Sequence, residues 1–435
     1  MMYFEVQGRT LLKGDITPAG NKNEALPVIS AALLSKEDVI LENVPDIKDV
    51  RVLLEIIADI GVSVEKIDAH TVKINASTLD KWELDEKKVR EIRASITLIG
   101  PIITRLGKVS FPLPGGDKIG RRRIDTHLLA MEKLGVEYTT EPGVDAVEFF
   151  ASDKRLKGAF LLLDEPSVTG TENAIMAAVC AVGHTTIYNA ACEPHVQGLC
   201  NMLNTMGAKI TGIGTNRIDI NGVDELHGTT YRIQDDHTEV GSFMSLAAVT
   251  GGEITVKGVY ANQTPYIDII GRDFTRIGLH FERKGDDLYI PGHQTMKVHS
   301  DFRAAIPMIG DGPWPLFPSD LTSVLIVAAT QASGSVVIHE KMYENRMFFV
   351  DKLIYMGAGI VLCDPHRVVV VGPRKLIASE VASPDIRAGI SLLIAALGAE
   401  GTSIINNITQ IDRGYERIDE RLNALGAKIV RKTAQ

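Results

Sequence analysis

One signature recurs six times along this chain and fixes most of what it can fold into: an amphipathic helical stretch ending in an apolar residue and glycine, then a short run of strand formers. The glycines are Gly61, Gly135, Gly207, Gly278, Gly357 and Gly426. Their spacings are 74, 72, 71, 79 and 69, so six units span nearly all 435 residues. One position before each glycine stand Ile60, Leu134, Met206, Ile277, Met356 and Leu425; four before stand Ile57, Met131, Leu203, Phe274, Leu353 and Leu422. These positions share one helical face. Each glycine suits a left-handed C-terminal cap that turns the chain into the next strand. Eight positions before the glycine the series reads Leu53, His127, Leu199, Ile270, Phe349 and Ile418. His127, the one polar member, is either a satisfied core histidine or a ligand contact.

Each unit carries a second helix, apolar all round and therefore suited to an interior: Ala25 to Leu34, Arg93 to Arg105, Asn173 to Val182, Val240 to Thr250, Leu321 to Gln331 and Arg387 to Leu397. Strands such as 39–41, 186–188, 335–338 and 403–405 follow them. A unit of roughly 72 residues cannot bury both of its helices alone, so three units sharing one helical core make the economical domain. The expectation is an α/β protein of two similar domains, with a polar midpoint near Gly228 to Asp236.

Composition narrows the function. At 45% hydrophobic and 23% charged the chain is globular, and no apolar run approaches the roughly 18 to 20 residues of a membrane span. The opening, Met1 to Arg9, reads as a strand and lacks the order of a secretory signal, which points to the cytosol. Four cysteines (Cys180, Cys192, Cys200, Cys363) form neither a disulfide framework nor a zinc spacing and are expected to be buried free thiols. The net charge of -9 argues against nucleic-acid binding, so an anionic ligand must be met by a local basic cluster. No metal-ligand cluster or dinucleotide fingerprint implies a metal or organic cofactor, and no obligatory protein partner is implied.

Polar residues without an obvious structural need collect just before the apolar helices, where N–H groups and the helix dipole favour anions. They are Gly20 to Glu24, Arg90 to Arg93, Gly115 to Arg123, Pro318 to Asp320, Glu344 to Arg346, Asp385 to Arg387 and Asp412 to Gly414. Singly, each has an ordinary account as a cap or surface charge. Together they suit an anionic ligand held between two domains. The segment Pro112 to Arg123 contains Gly115, Gly116 and Gly120, and one carboxylate, Asp117, followed by four cations. It is not a Walker loop, because Arg121-Arg122 stands where Lys-Ser/Thr is required. It reads as a mobile lid that closes a basic grip over a phosphorylated substrate.

Asn21-Lys22-Asn23-Glu24-Ala25-Leu26-Pro27, the Pro-Gly-Gly-x-x-Ile-Gly-x-Arg segment with Asp125 and His127, Phe317-Pro318-Ser319-Asp320, Glu344-Asn345-Arg346 and Asp412-Arg413-Gly414-Tyr415-Glu416-Arg417 together resemble the UDP-N-acetylglucosamine enolpyruvyl transferase family. The resemblance runs from end to end. It implies a two-domain inside-out α/β barrel of six βαβαββ units, pseudo-threefold in each domain. Residues 22–235 would form the first domain and carry the lid (about 112–123); residues 1–21 with 236–435 would form the second. The implied reaction moves the enolpyruvyl group of phosphoenolpyruvate to the 3-hydroxyl of UDP-N-acetylglucosamine, releases phosphate and commits the sugar to peptidoglycan. The sister enolpyruvyl-shikimate-phosphate synthases usually open with Gly-Ser-Lys-Ser, where this chain has Gly20-Asn21-Lys22-Asn23. A noncatalytic nucleotide-sugar-binding paralogue is the alternative outside catalysis.

Addition followed by elimination needs a base on the hydroxyl, an acid for the methylene carbon and cations around a tetrahedral intermediate. The resemblance makes Asp320 the hydroxyl's partner and base. It assigns Lys22, Arg122 and Arg413 to the phosphate and carboxylate of phosphoenolpyruvate with Asn23 orienting, and lines the same cleft with Arg346 and Arg387. Lys22 and Arg413 count among the catalytic residues with Asp117 and Asp320. Arg93, Arg122, Arg123, Ile124, Asp125, Thr126, Ser167, Val168, Thr169, Asp320 and Met342 match positions facing the nucleotide sugar. The lid position usually held by a reactive cysteine is Asp117. A free Asp titrates near about 3.9 against about 8.5 for Cys, so closure must hold Asp117 protonated to make it a proton donor, while Lys118 and Arg121 pull the other way. Loss of the thiolate implies insensitivity to fosfomycin, an epoxide that alkylates that cysteine.

Overall fold

The computed structural model describes residues 2–117, 119–140, 142–261 and 265–433. All six repeat glycines have positive φ, at 94°, 91°, 101°, 91°, 93° and 101° in chain order. The helices before them are Lys48–Asp59, Asp125–Lys133, Pro194–Thr205, Tyr266–Arg276, Val350–Tyr355 and Ile418–Ala424, each ending two residues short of its glycine. In five of them the residue after the glycine donates back over the turn, as Val62 N does to Ile57 O and Ala208 N to Leu203 O. This is the Schellman closure, and it satisfies carbonyls that a helix end leaves open.

Each repeat builds the same sheet. An entry strand pairs parallel with the strand that follows the interior helix, and two antiparallel strands complete the set. One example orders Phe160–Leu162, His184–Tyr188, Arg217–Asn221 and Lys209–Thr211. In the second repeat the entry strand shrinks to a single parallel bridge, Glu83 with Ser110. The N-terminal residues fill two late sheets: Met2–Gln7 lies between Thr402–Asn406 and Lys428–Thr433, and Lys13–Ile16 pairs parallel with Glu253–Val256. Thr229–Arg232 likewise returns to pair with Val39–Glu42 of the first repeat.

The chain groups into two units, one of Gly20–Asp117 with Arg122–Gln234, the other of Met1–Ala19, Lys118–Arg121 and Asp235–Gln435. Each has three sheets outside and three apolar helices inside. In the second unit the interior helices are His237–Thr250, Ser319–Ala329 and Ile386–Gly398, which touch one another pairwise. Twelve of the thirteen residues of Ile386–Gly398 are buried, as expected for a helix with no solvent face. This is the inside-out α/β arrangement.

Two expectations are corrected. Four interior helices begin two to five residues earlier than their apolar periodicity suggests, at Lys22, Val168, His237 and Ser319. Polar first turns hide the starts, because those residues serve caps and ion pairs rather than the core. Residues 119–121 group with the second unit, not with the first domain to which the whole glycine-rich segment was assigned. Ile119 is buried there, and its carbonyl accepts from Asn345 N at 2.9 Å.

Candidate active site

In the unit containing 235–435, Ser319 and Asp320 form the first turn of Ser319–Ala329, where the helix dipole favours a carboxylate. Asp320 Oδ1 accepts from Arg346 Nη2 at 3.1 Å, and Oδ2 accepts from Arg387 Nη2 at 2.8 Å. The Asp320 side chain is 28% exposed, while those of Arg346 and Arg387 are 5% and 7% exposed, so a reachable carboxylate sits on a buried cationic fork. Burial disfavours both arginine charges, but Asp320 together with the other carboxylates and the tyrosine beside each outweighs it and holds each guanidinium above its ordinary pKa. Arg387 is fixed further. Its Nη1 donates to the Tyr415 hydroxyl at 3.2 Å, that hydroxyl meets Ser242 Oγ at 2.9 Å, and the N-cap Asp385 receives the Arg387 N–H at 2.8 Å. Arg413 is also buried, with Nη1 on Gln410 Oε1 at 2.9 Å. The Met342 N–H donates to Glu340 at 3.3 Å. Arg121 N donates to Glu344 Oε2 at 3.1 Å. A Cβ on Gly120, whose φ is +142°, would collide with the same carboxylate.

The other unit carries the remaining residues. Asn21 caps Lys22–Ala31, so Lys22 and Asn23 lie in its first turn. Lys22 Nζ meets Asp49 Oδ2 at 2.7 Å with both groups buried. Glu24 anchors the same turn by accepting from the Tyr231 hydroxyl at 2.8 Å. Arg93 Nη2 donates to the carbonyls of Arg122 and Arg123 at 2.9 and 3.0 Å, which fixes the end of the glycine-rich segment. Arg122 is half-buried and makes no ion pair among the described residues. Asp117 is half-buried too, while Lys118 lies outside the described residues.

The 123–126 stretch and the 167–169 stretch converge. Arg123 Nε pairs with Asp125 at 2.9 Å, and Thr126 Oγ1 donates to Asp164 Oδ1 at 2.6 Å. Ile124 is half-buried at the N-cap of Asp125–Lys133. Ser167 caps Val168–Ala178 by accepting from Gly170 N at 3.2 Å. His127 is a satisfied core histidine. The Asn173 amide oxygen accepts from Gly100 N at 2.8 Å, so its nitrogen donates to His127 Nδ1 at 2.8 Å, leaving Nε2–H to reach Thr169 Oγ1 at 3.1 Å. Burial, with Arg93 adding, pushes His127 down to about 3 and keeps it neutral.

The structure thus joins Asp320, Arg346 and Arg387 directly, joins Arg93 to the backbone of Arg122 and Arg123, and brings 123–126 beside 167–169. Sequence reasoning missed Asp49, Glu340 and the part played by Tyr415. Asp49 and Glu340 carry no spacing signal in the sequence, and only the fold reveals their partners. The expectation of buried cysteines is corrected at three positions. All four are free, and burial pushes Cys180 and Cys192 up to about 11 and Cys200 to about 12, but Cys200 alone of the four is fully buried, Cys180 and Cys192 are half-buried, and Cys363 is exposed on the Ile360–Asp364 strand. No group of three or more metal-ligating side chains occurs among the described residues, and no helix there is long and apolar enough to cross a membrane.

Comparison with known proteins gives concordant results. The family profile of EPSP synthase (3-phosphoshikimate 1-carboxyvinyltransferase) matches residues 6–422. A UDP-N-acetylglucosamine 1-carboxyvinyltransferase from Borrelia garinii is 52% identical over 435 residues and covers the whole of both chains. One from Bradyrhizobium diazoefficiens is 53% identical over 428 residues, covering 98% of this chain and 97% of its own. Among solved structures, the enolpyruvyl transferase NikO from Streptomyces tendae superposes with a TM-score of 0.88 at 23% identity, over 100% of this chain and 99% of the other. EPSP synthase from Acinetobacter baumannii does so with 0.75 at 20% identity, over the full length of both. At those identities the structural likenesses speak for the fold alone.

Proposed function

The chain belongs to the EPSP synthase family of 1-carboxyvinyltransferases, and from that premise we propose that it moves the enolpyruvyl group of phosphoenolpyruvate to the 3-hydroxyl of UDP-N-acetylglucosamine, releasing phosphate. The observation that carries the choice of acceptor is the end-to-end likeness, at about half identity, to relatives named for that substrate. The product would enter peptidoglycan synthesis, and the cytoplasm is the compartment that fits.

Asp320 takes the proton of the attacking hydroxyl. Two guanidinium groups hold its oxygens in place, so orientation is set before substrate arrives. Lys22, Arg122 and Arg413 bind the phosphate and carboxylate of phosphoenolpyruvate, with Asn23 orienting and Arg346 and Arg387 completing the cationic surround. On this reading these cationic groups meet the charge that builds on the intermediate, the kind of interaction from which enzymes gain most. Arg93, Arg123, Ile124, Asp125, Thr126, Ser167, Val168, Thr169 and Met342 bind the nucleotide sugar. Asp117 delivers the proton to the methylene carbon.

Phosphate release from phosphoenolpyruvate, compared with UDP-N-acetylglucosamine and with shikimate 3-phosphate as acceptor, tests the reading. Release with the nucleotide sugar alone supports it; release with the shikimate alone moves the chain to the sister activity. Preincubation with fosfomycin leaves the rate unchanged if Asp117 stands where the thiol is usual, and Asp117→Cys gains time-dependent inactivation. Covalent inactivation of the unmodified protein would contradict the assignment of Asp117.

A further inference from the structure

Glu340 is fully buried at the end of the Gly334–His339 strand, and three elements that carry site residues converge on it. Ser319 Oγ, next to Asp320, donates to its carboxyl at 2.8 Å. The backbone N–H groups of Met342 and Tyr343 donate to Oε1 at 3.3 and 3.2 Å. Arg346 Nε stands 3.7 Å from Oε2, too far for a hydrogen bond, and has no hydrogen-bond partner among the described residues. A second carboxyl, Asp311, is also buried and within hydrogen-bonding reach of Glu340. Its Oδ1 accepts from Lys341 N, while its Oδ2 finds no donor among the described residues.

Two carboxyls facing each other in a dry site do not both ionise. One proton held between them gives Asp311 Oδ2 its missing partner. We propose, on the footing of the transfer reaction above, that Glu340 is a positioning residue: sharing a proton with Asp311, it clamps Ser319 and the 342–343 backbone beside Asp320 while leaving the Arg346 charge to Asp320. Arg346 Nη2 does bond Asp320, at 3.1 Å. An ionised Glu340 would compete for that guanidinium and draw it off the base.

The charged and titratable groups around the carboxyl are Asp311, Arg346 and, on its own strand end, His339 and Lys341; His366 Nδ1 meets the Glu340 carbonyl at 2.8 Å. Burial, then Asp311, pushes Glu340 up to about 8, so the pair keeps one proton through neutral pH and loses it in mild alkali.

The test combines pH-rate profiles of phosphate release for the unmodified protein, Glu340→Ala and Glu340→Gln with infrared spectra in the carboxylic-acid C=O region for those proteins and Asp311→Asn. Glu340→Ala lowers kcat by about 10- to 100-fold through misplacement of Asp320 and Arg346. Glu340→Gln, neutral at every pH and of the same shape, restores most of that loss and removes an alkaline limb near pH 8. The buried-acid band is present in the unmodified protein and absent from Glu340→Gln. Equal impairment of the Gln and Ala variants, an alkaline limb that survives in Glu340→Gln, or no such band in the unmodified protein would each overturn the proposal. Turnover of the unmodified protein reports on the transfer reaction itself and the band on the shared proton, so the two failures read separately.

Discussion

Around Asp320 the charges are matched inside one unit: Arg346 and Arg387 on the carboxylate, Tyr415 and Ser242 behind Arg387, Ser319 and Glu340 behind the helix start. Across the described residues of 112–123 the side chains are mostly half-buried or exposed, and several of the contacts that hold the segment fall on backbone. Leu113 N donates to Asp145 O, and the carbonyls of Arg122 and Arg123 accept from Arg93. Arg122 keeps its guanidinium without an ion pair among the described residues. The contrast teaches where each kind of residue can change. Asp320, the proposed base, is gripped by a buried network and tied to its neighbours, whereas Asp117, the proposed acid, lies half-buried on a glycine-rich segment.

The largest expected effect breaks the gripped side. Asp320→Asn keeps shape but removes the proton acceptor, and kcat falls by about 10²- to 10⁴-fold with a smaller change in KM. Steady-state kinetics checks it, and an unchanged kcat would remove Asp320 from the role of base.

A smaller effect tests the backbone-held side. Gly120→Ala puts a side chain at φ +142° against Glu344, a strain of about 1–3 kcal/mol. That corresponds to roughly tenfold or more in kcat/KM if placement of the segment matters to turnover, at nearly constant Tm. A fall in Tm at constant kcat/KM would mean the strain is borne by the fold instead.

The smallest effect on turnover concerns His127, a gripped residue in the other unit. Its folded pKa, about 3, lies below the ordinary value of 6.5. The unfolded chain therefore binds a proton first on acidification, and this stabilisation, complete above pH 6.5, is lost as the pH falls toward 3. His127→Leu, matching the apolar residues of the other repeats, leaves Asn173 short of an acceptor and costs about 1–3 kcal/mol at neutral pH. It also flattens the acid limb of Tm against pH. A limb as steep as in the unmodified protein would place the acid sensitivity elsewhere.

The repeat was legible because its signal is geometric. Only glycine tolerates the φ of 91° to 101° that ends six helices, and the apolar positions one and four residues earlier must face a core. The interior helices were legible in their apolar length but not in their starts. Lys22 and Asp320 interrupt the periodicity, and their placement depends on partners far along the chain, Asp49 for one and Arg346 with Arg387 for the other. Candidate site residues were legible through motif resemblance. Glu340 was not, because a lone Glu after an apolar strand carries no pattern until Asp311, Ser319 and Arg346 are folded against it.

The most direct test of the central claim is the structure of the product formed from phosphoenolpyruvate and UDP-N-acetylglucosamine, read by NMR. The account predicts a vinyl ether on the sugar 3-oxygen with one phosphate released per product. Unaltered nucleotide sugar, or enolpyruvyl transfer to shikimate 3-phosphate in its place, would contradict it.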